Sequence, residues 1–132
     1  MIGAAVTSVE IPYSIACALP TLAVLDITND VAREVAGQPA ANGIAYVTAT
    51  SSPWLVRVSE RETGFFHDVE EMLSRLVPLT TPERERVLLA LLGPRTEQLP
   101  FSAHRLCLGQ WQRILLVGFN GTPGEHQVTI VG

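Results

Sequence analysis

Arg105 to Gly132 reads RLCLGQWQRILLVGFNGTPGEHQVTIVG, and the fold turns on how this stretch is read. Two apolar runs rich in β-branched residues flank Asn120 to Gly124, where Asn, Gly and Pro favour a reversal of the chain. The pattern predicts a β-hairpin. Gly109 interrupts the first run, as a glycine does at a bulge or a close backbone approach. Trp111 and Gln112 follow it directly.

Working outward, Ile2 to Ile11 and Ile15 to Leu25 are mixed apolar runs separated by Pro12 and Tyr13 and read as an initial antiparallel pair. Thr28 is placed to cap a short helix through Val31 and Val35, with Asp30 near its positive end and Gly37 and Pro39 closing it. Gly43 opens a second sheet region in which Ile44 to Ala49 and Trp54 to Val58 are strands joined by a turn at Ser51, Ser52 and Pro53. From Phe66 the spacing becomes helical, with Phe66, Val69, Leu73 and Leu76 on one face. A third helix is signalled by Thr81 as cap, Pro82 at its first position, Glu83 and Glu85 in its first turn and Gly93-Pro94 at its end. Its run Val87 to Leu92 is nearly all apolar, which requires burial in the domain or against another subunit.

At 132 residues and 47% hydrophobic content the chain encloses one ordinary core, so residues 1–132 are expected to form a single domain. The net charge of -4 argues against nucleic acid as a partner, because such proteins concentrate cations against phosphates. All nine cations are arginines. Without lysine there is no Schiff-base chemistry and no lysine-dependent nucleotide loop. Pro12 and Pro20 break the apolar stretch Ile11 to Leu25, which is too short to span a bilayer. No basic residue precedes it, so a cytoplasmic protein without a membrane segment is expected. Cys17 and Cys107 lack metal-site spacing and read as reduced, buried thiols rather than a disulfide.

The pattern LGxWQxIxLxxFxG followed by a short strand resembles the carboxyl-terminal signature of the YjbQ family, also called UPF0047 or secondary thiamine-phosphate synthase-like. Asp26-Ile27-Thr28 with Val31 is similar to the family's DIT helix start, and Leu91-Leu92-Gly93-Pro94 to its LLGP segment. The resemblance implies an α+β fold with antiparallel or mixed sheets and helices on one outer face, and a homotrimer with its pocket near subunit contacts. It places Glu60 on the family's acidic position. The histidine of the family's HTT motif falls on Ser51 and its threonines on Ser52 and Pro53, while the HxH pair falls on Arg84 and Arg86.

Each of these positions has two readings. Ser51 and Ser52 can offer hydroxyls to a phosphate or carboxylate, or simply bond their own backbone in a turn. Glu60 can serve as a general base or be a solvated carboxylate at a strand end. Arg84 and Arg86 stay protonated where histidine would shuttle protons or bind metal, which leaves anion binding as their chemistry. If Pro82 starts a helix, at most one of the two faces a pocket, and Glu83 with Arg86 forms a weak surface pair. Trp111 reads as packing in a core strand. Gln112, on the opposite strand face, is the better ligand-binding candidate. His67, His104 and His126 occupy no motif position and read as exposed, and no metal or cofactor is expected.

The primary expectation is therefore a family member that has lost histidine-dependent catalysis and binds a small anionic metabolite. A thiamine-phosphate synthase-like transferase using Glu60 and arginine charge stabilisation is one alternative. A structural partner of an intact relative is the other.

Overall fold

The computed structural model describes residues 2–8, 15–18, 22–50, 54–93, 95–119 and 124–132, with residues 2–8, 15–18 and Thr63 described as backbone. Among them run, in chain order, β1 (Ile2–Ser8), β2 (Ile15–Ala18), β3 (Ala23–Asp26), α1 (Thr28–Ala36), β4 (Gly43–Ala49) and β5 (Trp54–Glu60). They are followed by α2 (Thr63–Leu76), α3 (Arg84–Leu92), β6 (Thr96–Ser102), β7 (Arg105–Leu106), β8 (Gln112–Gly118) and β9 (Glu125–Val131). The strands form two antiparallel sheets, one of five strands in the order β1-β9-β4-β6-β7 and one of four in the order β2-β3-β8-β5.

The sheets pack face to face. Val47, Leu99, Phe101, Val128 and Ile130 of the larger sheet meet Leu25, Val56, Ile114 and Leu116 of the smaller one, and α1 adds Val31 and Val35 to the same core. On the other face of the smaller sheet, Val24, Leu55, Leu115 and Val117 are covered by Phe66, Leu73 and Val77 at and beyond α2 and by Leu88 of α3. The expected α+β class is what forms, with two helices on one outer face and the third closing onto the inter-sheet core.

The predicted hairpin does not form. β8 and β9 are consecutive in sequence but lie in different sheets, β8 between β3 and β5 and β9 between β1 and β4. The run Ile114 to Phe119 is buried without alternation, because its sheet is covered on both faces, whereas β9 buries only His126, Val128 and Ile130. A continuous apolar run and an alternating one suit different layers. The predicted amino-terminal pair is likewise divided, with β1 against β9 and β2 against β3. Gly118 permits a close contact across the smaller sheet, since a Cβ there would stand 2.4 Å from the Trp54 ring.

Smaller corrections concern the helices and the loops. Ile27 precedes α1 as its cap residue, and Thr28 is its first turn. Leu76 is exposed and Val77 takes its place in the core, because α2 ends there and extended backbone at Val77 turns that side chain inward. Glu83 adopts left-handed φ of 52°, so α3 starts at Arg84 rather than at Pro82. Leu88 is fully buried, but Val87 and Leu91 are exposed. Cys107 is an exposed free thiol, while the Cys17 side chain lies outside the described residues. His126 is wholly buried rather than exposed, because it shares the core-facing parity of Val128 and Ile130.

Candidate functional site

The site is organised by Asp26, the last residue of β3. Its side chain is only 4% exposed, a setting that penalises a carboxylate unless it is paired. One oxygen accepts from Arg113 Nε at 2.8 Å and Arg61 Nη1 at 3.3 Å, and the other from the Thr28 backbone N–H at 3.0 Å. Burial pushes this carboxyl upward, but the bonds from Arg113 and Thr28 outweigh it and hold it below its ordinary value. Thr28 Oγ1 in turn accepts from the Ile114 N–H at 2.8 Å, and the Ile27 N–H donates to the Ile114 carbonyl at 2.9 Å. The Asp-Ile-Thr motif therefore ties the start of α1 to β8 and fixes the two arginines.

Glu60 closes β5 opposite Gln112 at the start of β8, and Ser59 is opposite Arg113. Beyond these strand ends lies an open cavity of about 600 Å³ lined by Glu60, Arg61, Glu62, Gln110, Trp111 and Arg113. Glu62 is committed to capping α2, accepting from the Gly64 and Phe65 N–H groups at 2.8 and 2.6 Å. Trp111 is 69% exposed, not a core tryptophan, because it sits in the turn before β8 rather than in the strand. That turn is held by Gln112, whose Oε1 accepts from the Gly109 N–H at 2.7 Å while its own N–H donates to the Gly109 carbonyl at 3.1 Å. A Cβ on Gly109 would press on this amide at 3.1 Å, which is the close approach that the glycine serves. Gln112 thus holds the turn rather than lining the cavity, and Gln110 and Trp111 line it.

The other residues singled out in the sequence fall elsewhere. Ser51 and Ser52 lie outside the described residues. Arg84 Nε donates to the Val77 carbonyl at 2.8 Å, beyond the far end of α2. With 14 residues at about 1.5 Å rise, α2 spans roughly 21 Å between that point and the Glu60 end. Arg86 is exposed and pairs with Glu83 at 3.1 and 3.2 Å, the surface pair expected from the sequence. Within one chain, neither arginine lines the cavity with Glu60.

Arg61, Arg113 and Asp26 are the members of this cluster that sequence reasoning did not single out for ligand chemistry. Their signal was available, since Asp26 opens the DIT motif and Arg113 follows Gln112 in the Trp-Gln motif. Among the described residues no group of three or more His, Cys, Asp or Glu side chains could hold a metal ion. His126 stands apart from the cavity, and neither of its ring nitrogens has a hydrogen-bond partner among the described residues.

Residues 18–131 match the family described as UPF0047 protein YjbQ-like. A UPF0047 protein of Archaeoglobus fulgidus is 29% identical over 116 residues, covering 81% of this chain and 88% of that protein. Among solved structures, a YbjQ-like protein of unknown function from Sulfolobus solfataricus superposes with a TM-score of 0.78 at 20% identity, covering 100% of this chain and 96% of that one. A hypothetical protein from Aeropyrum pernix gives 0.77 at 23% identity, with coverage of 100% and 98%.

Proposed function

The chain belongs to the YjbQ-like UPF0047 family, and from that premise we propose that it is a binding member of the family that holds a small anionic metabolite at the mouth beside Glu60. The observation that carries this reading is the convergence of Arg61, Arg113, Glu60 and an exposed Trp111 on one cavity whose described lining contains no histidine. Two guanidinium groups suit the oxygens of a phosphate or carboxylate. Glu60 is positioned to accept from an amine or hydroxyl on the same molecule, and the Trp111 face offers a platform for a planar or cationic part. Arginine does not exchange protons near neutral pH, so this set favours holding a ligand over turning it over.

Assembly into a homotrimer belongs to the same proposal. Phe65, Met72 and Leu76 fall on one exposed stripe of α2, with Leu79 beyond it and Val87 and Leu91 exposed on α3. Apolar surface of that extent suits contact between subunits.

Trp111 gives the site its own probe, because the other tryptophan, Trp54, is buried. Titration with inorganic phosphate and with small phosphorylated and carboxylated amines is expected to change Trp111 fluorescence saturably. Arg61→Gln should weaken that response by about tenfold, the order of one charge-assisted contact. Lack of response to every anion, or equal affinity in Arg61→Gln, would overturn the reading. Robust turnover of thiazole phosphate with an activated pyrimidine would instead establish the transferase.

A further inference from the structure

We infer that the cavity between the smaller sheet and α2 is a second binding site, one for a free medium-chain carboxylate, with its head at Arg57 and Ser59 and its chain beneath the helix. The cavity measures about 280 Å³ and lies on the helix-covered side of β5. Ser59 and Glu60 are successive residues of a strand and so point to opposite faces. This places the cavity apart from the charged mouth, and the inference does not rest on the function proposed for that mouth.

Its walls include Leu55, Phe66, Val69 and Leu115, and the lining is apolar apart from Arg57 and Ser59. An apolar chamber with a small number of fixed polar groups is the general form of a small-ligand site. The polarity is one-sided, since the lining contains a guanidinium and a hydroxyl but no carboxylate. Arg57 meets Glu97 at 3.8 Å, an ion pair too long to be a hydrogen bond. The Arg57 guanidinium also lines the cavity, and a carboxylate takes two parallel N–H bonds from such a group. Phe65, 46% exposed, is also part of the lining, and its ring is tilted against Phe66 with centroids 6.0 Å apart. The occupant that matches this set has one anionic end and an unbranched apolar body. An alkyl ammonium of the same length would bring its charge against Arg57.

Calorimetric titration of the whole chain with octanoate, 1-octanol and octylammonium tests the assignment. Octanoate is expected to bind with one site per chain, octylammonium not at all, and affinity should rise about fourfold for each methylene from butanoate to octanoate. Arg57→Gln should weaken octanoate at least tenfold while leaving 1-octanol unchanged, and Val69→Phe, which fills the chamber, should abolish both. Arg75→Gln, an exposed charge change on the same helix, should alter neither. No octanoate binding by the wild-type chain, octanoate binding undiminished in Arg57→Gln, or binding retained in Val69→Phe would each overturn the inference.

Discussion

β8 in the four-stranded sheet is buried on both faces, with Ile114 and Leu116 against the opposing sheet and Leu115 and Val117 beneath the helices. β9 in the five-stranded sheet has one buried face and one partly open, so that Val128 and Ile130 are core while Thr129 and Val131 are not. The two sheets also treat buried ionisable groups differently. Asp26 of the smaller sheet is surrounded by two arginines and a backbone N–H. His126 of the larger sheet has no hydrogen-bond partner at either nitrogen among the described residues. The doubly covered sheet pairs its buried charge, and the singly covered one buries a polar group whose ring nitrogens have no hydrogen-bond partner among the described residues.

The sharpest way to break the first half of this comparison is parity. Leu115→Ala and Leu116→Ala alter neighbouring residues on opposite faces of β8, and each is expected to cost about 2–4 kcal/mol of stability in urea unfolding. Ile130→Ala in β9 should cost about 2–4 kcal/mol, but Val131→Ala, at 40% exposure, only about 0.5 kcal/mol. A neutral Leu115→Ala would mean that the helices do not cover the smaller sheet.

Asp26 sharpens the second half. Asp26→Asn removes the charge on which Arg61 and Arg113 converge and should cost about 2 kcal/mol at pH 7, in the range for hydrogen bonds to charged groups. The folded-state carboxyl lies below its ordinary value of 3.8, so the folded chain holds its proton less tightly than the unfolded chain. Its stabilisation is fully present above that ordinary value and is lost as pH falls through the lower folded value. Urea midpoints measured at pH 7 and pH 3 should therefore show a smaller gap between wild type and Asp26→Asn in acid. An equal gap at both would remove the electrostatic account.

Legibility in the sequence followed the same division. The smaller sheet was easy to find and hard to place. ILLVGF predicts a strand, and its unbroken apolar character also carries the information that both faces are covered, yet the turn residues at Asn120 to Gly124 equally predict a local hairpin. Local turn chemistry does not say whether the chain returns to the same sheet or crosses to another. β6 and β7 left a fainter trace. Ala103 and His104, both at positive φ, close them, where glycine or asparagine would be the usual signal. Their N–H groups are held from outside the turn by Asn42 Oδ1 and the Ala41 carbonyl. At the candidate site, Glu60, singled out by motif position, lines the cavity, whereas Gln112 holds the turn before β8 and is not among the lining residues. Arg61 and Arg113 became visible as a pair only once β3, β5 and β8 brought them to Asp26, 35 and 87 residues away in sequence.

The Gly and Pro of the loop before His126 predict its exposure, but its register opposite Ala49 of β4 and Thr7 of β1 turns it into the core. Burial lowers its affinity for a proton, and Asp30 of α1 opposes that effect only in part, so its folded-state value lies below the ordinary 6.5. The folded chain thus binds this proton more weakly than the unfolded chain. Stability should be greatest above pH 6.5 and decline as pH falls toward the lower folded value, by at most about 1.4 kcal/mol per pH unit. His126→Leu substitutes an apolar side chain of comparable size and removes the titration, so its urea midpoint should lack that component of the fall between pH 7 and pH 5. It should also be no less stable at pH 7, because two ring nitrogens without a hydrogen-bond partner among the described residues leave the core. An identical acid slope in His126→Leu would place the titration elsewhere, and a large loss at pH 7 would show that the imidazole makes a contact in solution that offsets its burial. Either result would erase the contrast between a sheet that pairs its buried charge and one that suppresses it.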